Sequence, residues 1–446
     1  MRAKASKSKI AVVGLGKIGL PLAVQFARSK FNVVGLDVLP SVVDSVNAAT
    51  EPFPGEKDLD WKLKSAVRRG WLRATIDPSE AIAGADLVAV AVPLYIDQSS
   101  NPEFSALENA MRGIGRAMSP GVVVSLETTV PVGTTRGLVS RWLSESSGLV
   151  PEKDFFVVFS PERVFSGRVF RDLRRYPKIV GGVSSQGAIK AAEFYRSAIK
   201  FDSRADLPMA NGVWVVSSAE AAELLKLVET TYRDVNIGLA NQFAVFAENS
   251  GIDFQEVISA ANTHPYSHIH QPGIAVGGHC IPVYPELYLS GDPEASIVRV
   301  AREVNLRTPE RCVQVVEKHL GSLKGLDAVV LGATYRGGVK ETAFSGVFPI
   351  VSALKARGAN VRVHDNLLTH EELAAQGLKP YDLGEHTDLA IVHSDDVAYR
   401  YLSKKDLPGI RLIFDGRNLT NGTLWDEVTR LVIGVGSPPK TLDDQR

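Results

Sequence analysis

The stretch Ile10-Ala-Val-Val-Gly14-Leu-Gly16-Lys-Ile-Gly19 decides how the chain begins to fold. Its four apolar residues predict a buried strand, the Gly-x-Gly-x-x-Gly turn follows, and a helical pattern then runs over 20–29. A second apolar run, 32–36, ends in Asp37. The glycines permit a pyrophosphate to approach a helix N-terminus, and the acid can accept hydrogen bonds from a ribose diol. The alternative is a glycine turn in another α/β fold. Strand, helix and acid together favour a dinucleotide site, and Asp37 favours NAD over NADP because a 2′-phosphate would meet like charge.

The alternation of strands and helices continues after this unit. Apolar runs at 86–92, 122–126 and 155–159 predict buried strands. The polar residues Thr128, Thr129 and Glu162 directly follow two of them. Ligands of doubly wound sheets bind beyond the carboxyl ends of the strands, so these side chains are candidate ligand groups. Turn capping by the threonines and a surface salt bridge for the glutamate are the alternatives, and the shared location at strand ends weakens both.

From about residue 217 the pattern becomes helical. Apolar residues recur at close to helical spacing over 219–249, which predicts a helix of about 30 residues, roughly 45 Å long. Such a helix would bridge domains or form a dimer interface. Lys226 and Arg233 lie seven residues apart and therefore share one of its faces, where a solvated charge is the alternative interpretation. A second helical stretch, 297–305, leads into a further helix through Leu320.

A second α/β unit begins with a strand at 327–331, followed by a helix at 347–357 and a strand at 360–365 that ends in an acid. It resembles a second dinucleotide fold without the Gly-x-Gly-x-x-Gly turn, and further strands follow at 389–392 and 411–414. The predicted fold class is α/β, with two Rossmann-like doubly wound domains joined by a central helical domain. The predicted segments are an NAD-binding domain at 1–214, a helical dimerisation domain at 215–310, an α/β substrate domain at 311–436 and a polar tail at 437–446.

Between the helices lies the loop Val276-Gly-Gly-His-Cys280-Ile-Pro282. A lone thiol on a glycine turn is a candidate nucleophile if nearby cations or dipoles favour its thiolate. The alternative is a tight turn with a buried, inert cysteine, which the motif alone favours. The dinucleotide site, a candidate base and a candidate cation elsewhere in the chain favour the nucleophile. Four histidines lie in the region (His264, His268, His270 and His279), but their spacing matches no zinc pattern, so no metal is expected.

Composition narrows the functional classes. The chain has 446 residues, enough for two or three domains, with 45% hydrophobic and 22% charged residues. Basic and acidic residues both number 50, which gives no indication of nucleic acid or an anionic membrane as partner. The two cysteines, Cys280 and Cys312, argue against a disulfide framework and for a reducing, cytoplasmic location. No apolar run approaches the ~20 residues of a membrane span, and the basic lead-in before residue 10 lacks the features of a signal peptide.

Six motifs together resemble the UDP-glucose/GDP-mannose dehydrogenase family, the NAD-dependent 6-dehydrogenases of nucleotide sugars, over nearly the whole chain. They are GLGKIG at 14–19, TTVPVG at 128–133, SPER at 160–163, ELLK at 223–226, GGHC at 277–280 and DGR at 415–417. Within the family, YRDVNI at 232–237 and QPG at 271–273 are most similar to the UDP-N-acetylmannosamine dehydrogenase branch. The resemblance implies a homodimer that oxidises the sugar C6 alcohol to a carboxylate with two NAD, without releasing the aldehyde.

The resemblance also implies residue roles. Cys280 forms a thiohemiacetal and then a thioester, Glu162 is the base, Lys226 stabilises oxyanion charge, and Thr129 positions water or alcohol. The expected catalytic residues are Cys280, Lys226, Glu162, Thr129 and Thr230. The expected cofactor-binding residues are Gly14, Gly16, Lys17, Ile18, Gly19, Asp37, Val92, Pro93, Thr128, Thr129, Glu162 and Cys280. The expected substrate-binding residues are Glu162, Arg163, Val164, Lys226, Thr230, Arg233, His270, Gly277, Arg336 and Arg417.

The chain departs from the family pattern at three positions. Thr230 stands where the family usually has Asn, and Tyr284 stands where it usually has Asp. Ala343 replaces an arginine, for which Lys340 or Arg336 are candidate substitutes. The departures suggest a specialised branch and leave the hexose open among UDP- or dTDP-glucose and UDP-N-acetylmannosamine. The alternatives are a two-electron hydroxy-acid dehydrogenase, which would not need Cys280, and a non-catalytic nucleotide-sugar-binding homologue.

Overall fold

The computed structural model describes residues 8–97 and 99–436. Residues 1–7 of the predicted lead-in and the predicted tail at 437–446 lie outside this part. The chain forms two compact units. The first comprises Met1–Glu229 and Glu286–Gly291, and the second comprises Thr230–Pro285 and Asp292–Arg446. Within the described residues, no helix is both long and apolar enough to cross a membrane.

The described strands are β1 Lys9–Val13, β2 Asn32–Leu36, β3 Leu72–Thr75, β4 Leu87–Val90, β5 Tyr95–Ile96, β6 Pro102–Glu103, β7 Val123–Leu126, β8 Phe156–Phe159, β9 Lys178–Gly182, β10 Val213–Val216, β11 Asp327–Leu331, β12 Asn360–His364, β13 Leu389–Val392, β14 Leu412–Asp415 and β15 Thr429–Val432.

The described α-helices are α1 Gly19–Arg28, α2 Pro40–Asn47, α3 Leu59–Arg68, α4 Pro78–Ile82, α5 Ser105–Ala117, α6 Ser140–Ser147, α7 Val169–Arg175, α8 Ser185–Ala198, α9 Ala219–Ser250, α10 Phe254–Ala261, α11 Tyr284–Gly291, α12 Ser296–Leu320, α13 Val347–Ala356 and α14 His370–Ala374. A π-helical segment, Thr135–Val139, leads directly into α6.

The first unit is built on an eight-stranded sheet of order β3-β2-β1-β4-β7-β8-β9-β10. Its first six strands are parallel, β9 pairs antiparallel with β8, and β10 runs parallel to β9. The parallel part has the strand order of a doubly wound dinucleotide-binding fold. Because Val13 pairs with Leu36 and Val90, and Leu126 pairs with Val90 and Phe159, these strands end at one edge. The predicted ligand groups that follow them therefore lie along that edge.

The sheet strands are apolar because both faces are covered. Strands β4, β7 and β8 are buried at every residue, which is typical of parallel strands with helices on both sides. Phe26 of α1 and Tyr195 of α8 pack against this sheet, with ring centroids 6.0 Å apart. Burial of such aromatic and aliphatic side chains contributes about 25 cal/mol per Å² of apolar surface removed from water.

The second unit contains a parallel five-stranded sheet of order β12-β11-β13-β14-β15. This is the other common doubly wound order. Cys312 of α12 is fully buried in one core of this unit, together with Val330 and Ile391 of the sheet. At the end of β12, Asp365 accepts hydrogen bonds from the backbone N–H groups of Ala333 and Thr334, at 2.7 and 2.8 Å. The acid thus stabilises the turn after the unit's first strand.

One long helix and a pair of shorter helices were predicted in the chain between the two sheets, and the structure has two long helices there. Helix α9 has 32 residues, about 48 Å at the helical rise, and matches the predicted span within one residue. The predicted pair of helices from 297 to Leu320 is instead one continuous helix, α12, with Pro309 inside it. In the second unit, Asp234 of α9 and Arg302 of α12 form a buried ion pair with Oδ1 and Nη1 2.7 Å apart.

Candidate active site

The glycine turn at the end of β1 is tightly packed. Gly14 has φ of +87°, and a Cβ on Gly19 would lie 1.8 Å from the Gly14 carbonyl oxygen. A Cβ on Gly16 would meet no atom within 4 Å, so the turn is open on that side. Ile18 precedes the first residue of α1, and the side chain of Lys17 is exposed. The compact turn with an open side at a helix N-terminus fits a pyrophosphate.

Asp37, at the end of β2, stabilises the same turn. Its Oδ2 accepts from the Leu15 N–H at 2.7 Å, and its Oδ1 accepts from the Leu39 N–H at 3.0 Å. A carboxylate has about four lone-pair sites, so both oxygens can accept a further bond from ribose hydroxyls. These residues fit the adenosine and pyrophosphate parts of NAD.

The edge of the sheet continues along β4 and β7. The Thr128 hydroxyl donates to the Val92 carbonyl at 2.5 Å, which links the loops after these two strands. Thr129 is buried, with 5% of its surface exposed, whereas Pro93 is exposed. The alternative interpretation of the threonine pair, turn capping, therefore describes Thr128.

Glu162, after β8, lies between two lysines. Lys178 at the start of β9 forms a salt bridge with Glu162 Oε1, and both side chains are buried. Lys226 of α9 donates from Nζ to the Glu162 backbone carbonyl at 2.7 Å. The structure thus brings together Glu162 and Lys226, which the sequence placed 64 residues apart. The alternative of a surface salt bridge does not hold for Glu162, because its partner Lys178 is buried.

The two residues after Glu162 are also held in place. Arg163 forms a bidentate ion pair with Glu229 of α9 and donates to the Pro177 carbonyl at 3.2 Å. Val164 is half-buried and packs against the core of the first unit. The Arg163 guanidinium is therefore oriented by a carboxylate that the sequence did not indicate.

In the second unit, the Cys280 thiol is exposed at the end of its glycine loop. Gly278 has φ of +88°, and its N–H donates to the Ala343 carbonyl at 2.9 Å. A Cβ on Gly277 would lie 2.7 Å from Cβ of Tyr335, so glycine is required for this close approach. The Cys280 carbonyl accepts from the Tyr284 N–H at 2.9 Å, where α11 begins. The alternative of a buried, inert cysteine is wrong for Cys280. It describes Cys312, whose pKa burial raises to about 12.

Arg417, after β14, is fixed by main-chain carbonyls. Its Nε donates to His393 O at 2.6 Å, and its Nη2 donates to Ala275 O at 3.1 Å. Burial, and then the Arg417 charge, lowers the pKa of His393 to about 3, so this imidazole is neutral at neutral pH. Its Nδ1 therefore donates to the Gly332 carbonyl, at 2.8 Å. Arg417 lies beside the loop that leads into the Cys280 turn.

The remaining predicted substrate residues of the second unit lie in varied environments. Arg233 is exposed on α9, and Thr230 is buried on the same helix. His270 is half-buried, and its pKa is lowered by burial and by the Arg233 charge. Arg336 is half-buried close enough to Tyr335 to lower that residue's pKa, which burial raises overall.

Among the described residues, a group of three side chains that could hold a metal ion lies in the second unit. Ligand atoms of Asp327, His386 and Asp388 lie within 4.8 Å of one another. Asp327 opens β11, and Asp388 immediately precedes β13, so the group lies at the amino end of the second sheet. This is the edge opposite to the one that carries Arg417.

Four groups near the site were missed by sequence reasoning: Glu127, Lys178, Tyr195 and Glu229. Lys178 and Glu229 contact the predicted residues Glu162 and Arg163, and Lys178 and Tyr195 contact Glu127. Glu127 directly follows β7, so the strand-end argument that selected Thr128 could have selected it as well. The other three lie inside strands or helices and carried no comparable signal.

The fold and the glycine turn with its terminal acid define an NAD-dependent dehydrogenase. Three models of one family match the chain. They are those of the UDP-glucose/GDP-mannose dehydrogenase NAD binding domain at residues 8–199, central domain at 220–307 and UDP binding domain at 329–422. The chain belongs to the UDP-glucose/GDP-mannose dehydrogenase family, and it is an NAD-dependent nucleotide-sugar dehydrogenase.

The relatives of this chain are named for different sugars. The chain is 36% identical over 423 residues to a UDP-N-acetyl-D-mannosamine dehydrogenase of Pyrococcus horikoshii, covering 92% of this chain and 96% of that protein. It is 32% identical to an NDP-N-acetyl-D-galactosaminuronic acid dehydrogenase of Ralstonia solanacearum, with coverage of 92% and 96%. A solved UDP-glucose dehydrogenase from Pyrobaculum islandicum has a TM-score of 0.86 at 25% identity, covering 98% of this chain and 100% of that one.

Proposed function

We propose that this chain oxidises the C6 hydroxymethyl group of a nucleotide-diphosphate hexose to a carboxylate through a covalent bond to Cys280. The observation that carries the proposal is the exposed thiol on a glycine loop, held by the Gly278–Ala343 main-chain bond. A two-electron oxidation of an alcohol needs no protein nucleophile, whereas a covalent bond to a thiol retains the aldehyde for a second oxidation. Bound NAD supplies the hydride acceptor for each of the two oxidations.

The protein groups have separate roles in this scheme. The C6 hydroxyl gives its proton to Glu162 during the first oxidation, and Thr129 orients that hydroxyl. The Cys280 thiolate then bonds to the aldehyde carbon, and protonated Glu162 returns its proton to the carbonyl oxygen as the thiohemiacetal forms. In the second oxidation the thiohemiacetal hydroxyl gives its proton to Glu162, which releases it to solvent, and a thioester remains. Water activated by Glu162 attacks its carbonyl carbon, the C–S bond breaks, and the thiolate is regenerated. The Lys226 ammonium stabilises negative charge on oxygen in these steps, and Thr230 supports it from the next turn of α9.

The remaining residues bind the two ligands. For NAD, we propose that Gly14, Gly16 and Gly19 receive the pyrophosphate and that Asp37 receives the ribose. For the nucleotide sugar, we propose the cationic groups Arg233, Arg336 and Arg417 as partners of the diphosphate and sugar oxygens, because arginine matches phosphate geometry. Arg163, His270 and Gly277 complete the substrate side.

For the hexose, we propose an N-acetylhexosamine carried on UDP, with N-acetylmannosamine first. Support comes from the relatives named for UDP-N-acetyl-D-mannosamine, at 36% identity to this chain over 92% of its length. UDP-glucose and dTDP-glucose are the alternatives, since Thr230, Tyr284 and Ala343 depart from the family pattern. A panel of UDP-N-acetylmannosamine, UDP-N-acetylglucosamine, UDP-glucose and dTDP-glucose, assayed by NADH absorbance, ranks them by kcat/KM.

The two cysteines provide a matched test of the chemistry. The wild-type enzyme is expected to form two NADH per sugar, and Cys280→Ser is expected to lose uronate formation by about a thousandfold or more. Cys312→Ser, at the buried cysteine of the second unit's core, is the control and should keep both the stoichiometry and the product. Uronate is measured by mass spectrometry. One NADH per sugar in the wild type, or undiminished uronate formation by Cys280→Ser, would refute the covalent scheme.

We further propose three functional domains along the chain. Residues 1–214 bind NAD, residues 215–310 form the dimer, and residues 311–436 bind the nucleotide sugar. The family-model matches at 8–199, 220–307 and 329–422 support it. The presence of two free cysteines supports a reducing, cytoplasmic location.

A homodimer is proposed from an unburied apolar face of α9. Tyr232, Leu239, Phe243 and Phe246, here called the α9 apolar strip, are between 41% and 69% exposed. Their spacings of seven, four and three residues place them on one side of the helix. Exposed apolar strips of this kind mark interaction surfaces, and a second copy would bury the strip against itself.

A further inference from the structure

Glu162 belongs to a buried ionic cluster with Lys178 and Glu127, and the proposed chemistry assigns no role to the latter two. The Lys178 ammonium contacts three acceptors: Glu127 Oε2 at 2.5 Å, the Ser160 carbonyl at 3.2 Å, and Glu162 Oε1. An ammonium has three donors, so Lys178 is saturated by these groups. Its side chain is only 4% exposed, and those of Glu127 and Glu162 are 1% and 9% exposed.

Glu127 is bonded on its other oxygen as well. Oε1 accepts from the Ser125 hydroxyl at 3.1 Å and from the Tyr195 hydroxyl. The Ser125 and Tyr195 hydroxyl oxygens are themselves 2.8 Å apart. The groups that face Glu127 are therefore Lys178 from β9, Tyr195 from α8, Ser125 from its own strand and, through Lys178, Glu162. This set of bonds fixes the carboxylate in one orientation.

Two carboxylates contact the one ammonium of Lys178 in this buried cluster, and the Lys226 ammonium donates to the Glu162 main chain beside it. Burial raises the pKa of Glu127 to about 7, although Lys178 opposes the rise, and the Glu162 charge adds to it. Burial lowers the pKa of Lys178, but the two carboxylates outweigh it and raise the value overall. The lysine therefore stays charged at neutral pH.

We infer that Glu127 is a positioning residue that controls, through Lys178, how readily Glu162 takes a proton. The inference rests on the proposed role of Glu162 as base. Lys178 donates to Glu162 Oε1 and to the Ser160 carbonyl. Lys226 donates to the Glu162 carbonyl. When Glu127 is ionised, it offsets the Lys178 charge, and Glu162 becomes the stronger base. When Glu127 is protonated, the full Lys178 charge acts on Glu162 and weakens it.

The pH–rate profile distinguishes this role from mere structural support. Glu127→Gln keeps the shape and most hydrogen bonds of the side chain but removes its charge. The acid limb of kcat is expected to move to lower pH by about one unit, with a lower plateau rate. Lys178→Gln should move the limb to higher pH, and Lys178→Arg should restore it. Loss of structural support alone would lower kcat in Glu127→Gln without moving the limb.

Glu248→Gln is the matched control. Glu248 forms an ion pair with Arg311 within the second unit, with Oε2 and Nη1 2.6 Å apart, whereas the cluster belongs to the first unit. Its substitution should lower stability and leave the acid limb in place. A limb in Glu127→Gln that lies within about 0.3 pH unit of the wild type would overturn the inference.

A second measurement needs no turnover and therefore separates this inference from the proposed function. Full-length protein labelled with 13C at the glutamate carboxyl carbon is titrated by NMR. The wild type should show a glutamate that titrates near neutral pH, and Glu127→Gln should lack it. If the enzyme oxidises no sugar of the panel, the proposed function fails while this titration still decides the inference. Absence of such a glutamate in the wild type, or its persistence in Glu127→Gln, would overturn it.

Discussion

The ion pair between Asp234 and Arg302 allows a stability prediction to be worked from the structure. The side chains are 0% and 6% exposed, and Asp234 Oδ1 accepts from Arg302 Nη1 at 2.7 Å and from Asn305 Nδ2 at 2.9 Å. Arg302→Met would leave a buried carboxylate with only an amide as partner. Removal of one partner of a buried pair costs about 3–5 kcal/mol of unfolding free energy. Arg302→Met is expected to lose that amount at neutral pH.

The loss should depend on pH in a defined direction. Burial raises the pKa of Asp234, and Arg302 opposes the rise. Without Arg302 the folded-state pKa rises further, so the folded state binds the proton more tightly than the unfolded state. A group whose pKa is raised on folding contributes stability at low pH that is lost as pH rises through the folded value. The penalty of Arg302→Met should therefore be larger at pH 8 than at pH 5.

Urea unfolding followed by circular dichroism at pH 5 and pH 8 measures these free energies. Arg307→Met is the control in the same helix, because Arg307 is 80% exposed and pairs only weakly with Glu303, so a change within about 0.5 kcal/mol is expected. Asp234→Asn combined with Arg302→Met removes both charges and should recover most of the loss. Equal instability of the single and double variants, or a penalty for Arg302→Met that is independent of pH, would refute the reasoning.

Two further predictions concern ligand binding and assembly. Gly19→Ala should abolish NADH binding or folding, because the alanine Cβ would lie 1.8 Å from the Gly14 carbonyl oxygen. Gly16→Ala should fold, because its Cβ meets no atom within 4 Å, and should weaken NADH binding. Fluorescence titration measures the binding of both variants. Equal effects of the two would contradict the packing of the turn. Phe246→Asp should weaken self-association by about a hundredfold or more in sedimentation velocity, while Ile189→Asp, at a residue 56% exposed in the first unit, should not. Undiminished association of Phe246→Asp would exclude the α9 apolar strip as the interface.

Much of the fold could be predicted because its signals are local. Apolar runs bounded by glycine or polar residues gave β1, β2 and β11 to within a residue, and helical spacing gave α9 to within one. Six strands were not predicted: the short pair β5 and β6, and the strands β3, β9, β10 and β15. β10, Val213–Val216, is a continuous apolar run of only four residues, and it is partly buried with Val215 exposed. A run of that length does not by itself distinguish a strand from other apolar segments.

Site residues could be predicted only where a local sequence signal, such as a strand end or a glycine turn, marks them. Strand ends and glycine turns marked Asp37, Glu162 and Cys280, because a parallel sheet brings its carboxyl ends to one edge. Lys178 could not be found in this way. It opens a strand that runs antiparallel to β8, and this reversal places the start of β9 at the edge where its parallel neighbours end. A lysine in a strand of otherwise apolar residues is a weak signal until that reversal is known.

The departures from the family pattern bear on whether the chain is catalytic at all. Two of them, Tyr284 and Ala343, contact the Cys280 loop through the main chain: the Tyr284 N–H donates to Cys280 O, and Ala343 O accepts from the Gly278 N–H. Every residue other than proline can make such bonds, so a change of side chain there leaves the loop's anchors in place. The glycines that permit close approach to Tyr335 are also present. Because the supports of the thiol do not depend on the altered side chains, the departures do not favour the alternative of a non-catalytic homologue.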